Sequence, residues 1–229
     1  MLLSKNFFSL KSINKYQIKY GFFTRLNGFS TKQFKSLNCS LSSGDQKKKV
    51  LKNRDLALKK LKLNKTKLIL VNQTHSCKVI RINKNNLNKK INADGMITSL
   101  KHVALGILTA DCAPIFIYDN KKKFICCLHS GWKGTFNNIS KNAIKLFNKY
   151  DIKGADLIAI IGPCLGAKNY EVNKSFEKKF IKKSGAYSQF FRNKNKTKSF
   201  FNLRGIIKYQ LGQLGINKIH SVNLDTYSN

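Results

Sequence analysis

Residues 105–134, LGILTADCAPIFIYDNKKKFICCLHSGWKG, restrict the possible fold more than any other part of this chain. Three short runs rich in β-branched and aromatic residues, 103–109, 114–118 and 124–128, carry the strand signal. Asp119-Asn120-Lys121 is a polar break between the last two. Polar chemistry gathers at the strand ends: Asp111 and Cys112 after the first run, His129 after the third. Cys112 and His129 are 17 residues apart, a distance over which two strands and a turn can return to one rim. A thiolate facing an imidazole there suits a metal, or a Cys/His nucleophile pair. Gly131 and Gly134 flank Trp132 and Lys133. Glycines in such places admit positive φ and close approach of the backbone to a ligand.

The rest of the chain reads as strands and helices around that stretch. A strand is predicted over 16–24, ending at Arg25, with LNGFST as the turn after it. Residues 45–63 place Val50, Ala57, Leu58 and Leu61 at helical spacing. Two strands follow at 67–71 and 78–82, and the loop between them, NQTHS, holds His75. Beyond the central stretch, 135–150 reads as one helix with Phe136, Ile139, Ala143, Ile144 and Phe147 on one face. A strand at 157–161 leads into GPCLG, and Tyr170-Glu171-Val172 leads into a helix with Phe176, Phe180 and Ile181 inward. A further helix at 203–214 turns Leu203, Ile206, Ile207, Leu211 and Leu214 inward, with Gly215 just past its end. A last strand is expected at 219–224. Strands and helices mix without strict β-α-β alternation, and no repeat or linker divides the sequence. The expected class is α/β or α+β: a single domain over 1–229 with a mixed β-sheet flanked by helices.

Charge invites a nucleic-acid reading, with 44 Lys+Arg against 10 Asp+Glu and a net charge of +34. The lysines are spread in short clusters along the whole chain, such as 47–49, 121–123 and 182–183. That is the pattern of solvated faces, and no zinc-finger, RNP-type or basic-zipper pattern goes with it. No specific nucleic-acid partner is expected. A hydrophobic content of 42%, with 16 Phe and 8 Tyr, argues against a disordered chain. No stretch is long and apolar enough to span a membrane, so no membrane partner is expected either. The N-terminal residues are broken by Lys5 and Lys11 and lack a small-residue cleavage site, which makes the cytoplasm the default compartment. The six cysteines then read as free thiols.

Histidine is scarce, at positions 75, 102, 129 and 220 only. His75 and His129 both sit beside a strand end. Together with Cys112 they offer two neutral imidazoles and a thiolate, a set that leaves a tetrahedral zinc one open position. Their spacings of 37 and 17 residues match no short metal pattern, and a hydrogen-bonded histidine pair beside a buried cysteine is the alternative. Acidic residues are also few. Asp94 in ADG, Asp111 in ADC and Glu171 in YEV each suit a proton shuttle or a partner that holds a ligand imidazole. Each also suits an Asx turn or a surface ion pair. Arg25 and Lys133 lie in turns where a cation could meet a phosphate or carboxylate.

Taken in order, FTRLNGFST, NQTHS, ADGMIT, TADCAPIFIYD, LHSGWKGT and IGPCLGAKNYEV resemble the laccase-domain family, over about residues 21–227. Its members are described as purine nucleoside phosphorylases and, in older usage, as polyphenol oxidases. The resemblance implies a single α/β domain with zinc, or copper in its place, on His75, Cys112 and His129. It also implies phosphorolysis of adenosine, inosine, guanosine or methylthioadenosine, with adenosine deamination, a hydrolase activity, beside it. The partners are then purine nucleosides and phosphate. In that frame Asp111 or Glu171 moves protons, Cys112 serves the catalytic metal, Arg25 and Lys133 hold phosphate, and Gly131 lets the ligand near. Some positions depart from the family pattern. Ser76 stands where glycine is usual, Lys133 where arginine is usual, Asn27 where glycine is common, and Asp225 in place of a cysteine. Family members usually continue into a Ser/Arg-rich segment, whereas this sequence stops at Asn229, so the expected domain lacks that C-terminal segment. Three other readings compete. Copper-dependent polyphenol oxidation needs clustered histidines, and four are too few for more than one such centre. A basic nucleic-acid-binding module with a structural metal needs four closed ligands and a compact lysine stripe. The third is a metal-free Cys112/His129 hydrolase.

Overall fold

The structure, a computed structural model, describes residues 2–4, 7–9, 18–121 and 123–228. The chain divides into two compact units, residues 1–69 with 101–108, and residues 70–100 with 109–229.

In the first unit β1 (Leu2–Ser4), β2 (Phe7–Ser9) and β3 (Phe22–Phe23) form an antiparallel sheet. The strand expected over 16–24 is therefore short; residues 16 and 17 lie outside the described residues. Helix α1 (Lys47–Lys60) buries Val50 and Asn53. Asn53 is the hub of the loop before it. Its amide donates to Ser30 Oγ and to the carbonyls of Ser36 and Asn38, and its oxygen accepts from the Phe29 N–H. A fully buried asparagine with these bonds made holds the loop as a single piece. Gly28 in that loop has no room for a side chain, since a Cβ would stand 2.2 Å from the Ser36 carbonyl oxygen. β4 (Lys67–Leu70) pairs with β7 (Val103–Gly106).

The second unit is built on a six-stranded mixed sheet. Its strands are β5 (Val79–Arg81), β6 (Gly95–Thr98), β8 (Ala113–Asp119), β9 (Ile125–Ser130), β10 (Leu157–Ile161) and β14 (Lys218–Ser221), in the order β14-β10-β8-β9-β6-β5. The central pairs are antiparallel, and the two edge pairs, β5–β6 and β10–β14, are parallel. Register explains the apolar runs. Ile161, Ile115 and Leu128 face one another across three strands, as do Ala159, Ile117 and Cys126. Both rows are buried. They pack on one face with helices α3 (Ile139–Asn148) and α5 (Leu203–Gln213). All five residues of β10 are buried, which is why the sequence reads as a continuous apolar run and not as an alternation. Phe147 is fully buried in this layer, with its ring against Phe124. Phe147→Ala is expected to cost about 3–5 kcal/mol of stability, read as a shift of the denaturant midpoint.

Further helices and a second sheet complete the unit. They are α2 (Trp132–Phe136), α4 (Lys174–Lys183), and β11 (Glu171–Asn173) with β12 (Phe191–Asn193) and β13 (Lys198–Phe201) in the order β11-β13-β12. Aromatic rings tie α4 to this sheet, with Phe176 and Phe180 meeting Phe191 and Phe201. The helix expected over 135–150 is broken. Asn138 adopts the left-handed conformation (φ 55°) and its side chain accepts from the Lys141 N–H, which ends α2 and caps α3. Asparagine tolerates both roles better than most residues. The expected glycine after α5 holds, since Gly215 has φ +83°. The class is mixed α/β, with mixed sheets flanked by helices. None of the six cysteines is in a disulfide. Among the described residues no helix is long and apolar enough to cross a membrane.

Candidate metal centre

Three strands deliver polar residues to one edge of the main sheet. In register, His129 of β9 lies opposite Pro114 of β8, two residues after Cys112. β6 begins at Gly95, opposite Leu128, so Asp94 comes up beside His129, and its carbonyl accepts from the His129 N–H at 2.7 Å. The loop before β5 brings His75. The ligand atoms of His75, Cys112 and His129 all lie within 4.8 Å of one another. The rings of His75 and His129 meet edge to face, with centroids 4.8 Å apart. His129 is buried, Cys112 half-buried and His75 exposed, so the cluster is open on one side.

Asp94 organises this arrangement. It is fully buried and accepts from the N–H groups of Thr74, His75 and Ser76, from both hydroxyls of Thr74 and Ser76, and from His129 Nδ1 at 2.8 Å. Burial alone pushes its pKa up, but the bonds from His129, Ser76 and Thr74 outweigh it and hold the carboxyl at about 2. An ionised carboxylate only accepts, so the proton of the His129 ring sits on Nδ1 and leaves Nε2 with a lone pair. His129 itself is lowered, by burial first, against the raising effect of Asp94. It is thus neutral at physiological pH, the form that ligates. His75 has φ 57°, and the three N–H bonds from residues 74–76 to Asp94 hold that turn.

Cys112 is raised to about 11, by burial first and then by the charges of Asp111, Cys164 and Asp94. A nucleophilic cysteine without a metal needs the opposite shift, which argues against the metal-free Cys112/His129 pair. A divalent cation would supply the positive charge this thiol otherwise lacks. Two imidazoles and a thiol with one open side match the donor set of a three-ligand zinc or copper site. Among the described residues it is the one such group of three or more His, Cys, Asp or Glu.

Gly131 is needed for its size and not for positive φ, since its φ is −78°. A Cβ there would stand 2.6 Å from Cys112 Sγ and 3.5 Å from His75 Cδ2. Gly131→Ala is expected to displace the thiol and to weaken metal binding by roughly 10–100-fold, as loss of a supporting contact does elsewhere. Metal competition against a chromophoric chelator measures it.

The other candidates fall in different places. Asp111 is exposed beside Cys112 and accepts from Thr226 Oγ1 at 3.0 Å. Glu171 points elsewhere, to Lys194 and Lys198. Its neighbour Tyr170 is the residue whose hydroxyl feels Cys112, Asp111 and Cys164, and burial followed by those charges raises it to about 12. Strand alternation could have shown this, because Val172 is buried and a period of two puts Tyr170 on its side and Glu171 on the other. Lys133 is exposed, with its ammonium 5.6 Å from the Trp132 ring centre. Arg25 is exposed in the first unit. Its carbonyl accepts from the N–H groups of Ser36 and Leu37, which fixes the backbone from which its side chain extends. The bonds that Ser76 and Thr74 make to Asp94, and the place of Tyr170 beside the cluster, are not legible in the sequence. Serine and threonine in a loop look like ordinary turn residues until their carboxylate partner is known.

A mixed α/β chain with a one-centre His–Cys–His cluster at a sheet edge is the class that fold and site define. The chain belongs to the family described as multi-copper polyphenol oxidoreductase laccase, whose profile matches residues 19–229. Among its relatives is a purine nucleoside phosphorylase of Rickettsia prowazekii, 33% identical over 164 residues, covering 71% of this chain and 67% of the relative. Another, from Haemophilus influenzae and also named purine nucleoside phosphorylase, is 30% identical over 207 residues and covers 90% and 82%. The crystal structure of the Bacillus licheniformis hypothetical protein YfiH shares the fold, with a TM-score of 0.88 at 24% identity, over 99% of this chain and 88% of that one.

Proposed function

We propose that this chain is a purine nucleoside phosphorylase that uses one zinc ion held by His75, Cys112 and His129. The observation that carries the reading is the Asp94-anchored cluster, whose donor set and tautomer suit a cation with an open position. Relatives named purine nucleoside phosphorylase support the substrate class. Bound there, zinc supplies a Lewis acid with one position left for substrate. The chain's own residues do the rest. Asp111, exposed beside Cys112 and oriented by Thr226, is the proton carrier in this reading. Glu171 is given no such role, because two lysines hold its carboxylate. Lys133, two residues after Gly131, supplies a point charge for phosphate in this reading.

The test is inosine turnover with and without phosphate. Hypoxanthine and ribose 1-phosphate are expected only when phosphate is present. Lys133→Ala should raise the phosphate KM several-fold more than the inosine KM. Cleavage to free ribose without phosphate would replace phosphorolysis by hydrolysis. Ammonia from adenosine, measured in the same samples, reports the deaminase activity that the resemblance implies.

A further inference from the structure

The chain beyond β14 returns to the edge of the main sheet where the cluster lies. Val222 is buried, and its N–H donates to the carbonyl of Ile161, the last residue of β10. Asp225 then bridges in parallel with Cys164. On the other side of that segment, the N–H groups of Gly162 and Leu165 donate to the carbonyls of Pro114 and Asp111 at 2.8 and 2.9 Å. Residues 111–114, 162–165 and 222–226 therefore run side by side past the sheet. Asp111, next to Cys112, is held from both neighbours: its backbone by Leu165, its carboxylate by Thr226 Oγ1 at 3.0 Å.

The position of Thr226 depends chiefly on the residue before it. The Thr226 N–H stands 3.3 Å from the Cys164 carbonyl, long against the usual ~2.9–3.0 Å. The Asp225 carboxylate is bonded far better. Its Oδ1 accepts from the N–H groups of Gly166 and Tyr227 at 2.9 and 3.0 Å, and its Oδ2 from Asn169 Nδ2 at 2.6 Å. Bonds to an ionised acceptor are the strong ones. A Cβ on Gly166 would stand 2.3 Å from Asp225 Oδ2, so only glycine admits the carboxylate there. The segment is pinned just upstream as well, where the Arg204 guanidinium donates to the Leu224 carbonyl.

We infer that Asp225 is a positioning residue for the reaction: its carboxylate clamps the segment after β14 to the turn at 166–169, and the clamp holds the Thr226 hydroxyl where it orients Asp111 beside the His–Cys–His cluster. The proposal rests on the phosphorylase reading, in which Asp111 carries the proton. Asp111 is exposed, so packing does not fix its side chain. The Thr226 bond occupies one carboxylate oxygen and leaves the other to the substrate.

Inosine turnover at saturating phosphate by the zinc-loaded full chain tests the role. Asp225→Ala should lower kcat roughly 10- to 100-fold, the scale of a small misplacement of a reacting group, with the inosine KM and the zinc content at wild-type values. Asp225→Asn should recover most of that kcat. Its amide oxygen still accepts from Gly166 and Tyr227, and the Asn169 amide can turn to offer its own oxygen. Thr226→Val removes the hydroxyl at nearly constant shape and should also lower kcat. Combined with Asp225→Ala it should cost no more than the worse single change, because both act through one bond. Additive losses, a wild-type kcat in Asp225→Ala, or an Asp225→Asn variant as slow as Asp225→Ala would each overturn the clamp and leave the phosphorylase reading standing. Wild-type protein without phosphate-dependent turnover would overturn both. Should Asp225→Ala fail to fold, Asn169→Ala removes one of the three donors and should lower kcat in the same direction; an unchanged kcat there would overturn the proposal.

Discussion

Replacing Cys112 by alanine is expected to remove the metal and nucleoside turnover together. The thiol is the one group in the His75–Cys112–His129 set that becomes an anion on binding, and two neutral imidazoles alone hold a divalent cation far less firmly. Metal content should fall from roughly one ion per chain to near zero, and activity should fall to background with it. The fold should survive, because Cys112 is half-buried and the change deletes a single atom at the rim of the sheet. Cys39→Ser is the matched control. Cys39 is also half-buried but lies in the first unit, and its loss should leave metal content unchanged. Metal analysis of the two purified variants separates a ligand effect from a general cysteine effect.

The second large effect is expected at Asp94. This buried carboxylate bonds to residues 74–76 and to His129, so Asp94→Ala strands several donors at once. Breaking such a network costs about 3–5 kcal/mol, because the remaining groups stay buried without partners. Metal affinity should also drop by roughly 10–100-fold, since His129 loses the bond that fixes its tautomer. Asp94→Asn keeps one accepting oxygen and should fall between the alanine variant and the wild type in both respects. The pH dependence follows from the sign of the shift. The folded carboxyl is held at about 2, below the ordinary value of ~3.9, so its contribution to stability is complete above about pH 4. That contribution is lost as pH falls toward 2. Chemical denaturation at several pH values should show a steeper acid slope in the wild type than in Asp94→Ala, where Asp45, Glu171, Glu177 and Asp225, also lowered, still contribute.

Much of the fold could be read in the sequence wherever one local signal decided it. The strand at 157–161 is observed at those residues, because LIAII is bounded by turn residues and buried along its whole length. The inward face of α5 was visible as Leu203, Ile206, Ile207 and Leu211. What stayed hidden depended on partners far away in the chain. GMIT at 95–98 is too short to show alternation and is a strand only because β9 and β5 flank it. The pair β12–β13 is masked by the run of lysine and asparagine between its strands. Asn138 broke a helix whose apolar spacing continued past it.

The site divides in the same way. Cys112 and His129 could be paired from one strand-turn-strand unit. His75 joins them through a parallel edge pair and the Asp94 anchor, neither of which 37 residues of spacing reveals; its place beside a strand end made it a candidate, and the family resemblance pointed to it as a ligand. Gly131 was marked for positive φ and for close approach of the backbone to a ligand. It leaves room for a thiol and does not relieve a positive φ.

The most direct measurement is ribose 1-phosphate released from inosine and phosphate by one sample assayed three times: as purified, after metal removal by a chelator, and after zinc is returned. The account predicts product in the first and third assays and none in the second. Undiminished product after complete metal removal would contradict it, because the His75–Cys112–His129 cluster would then have no part in the reaction.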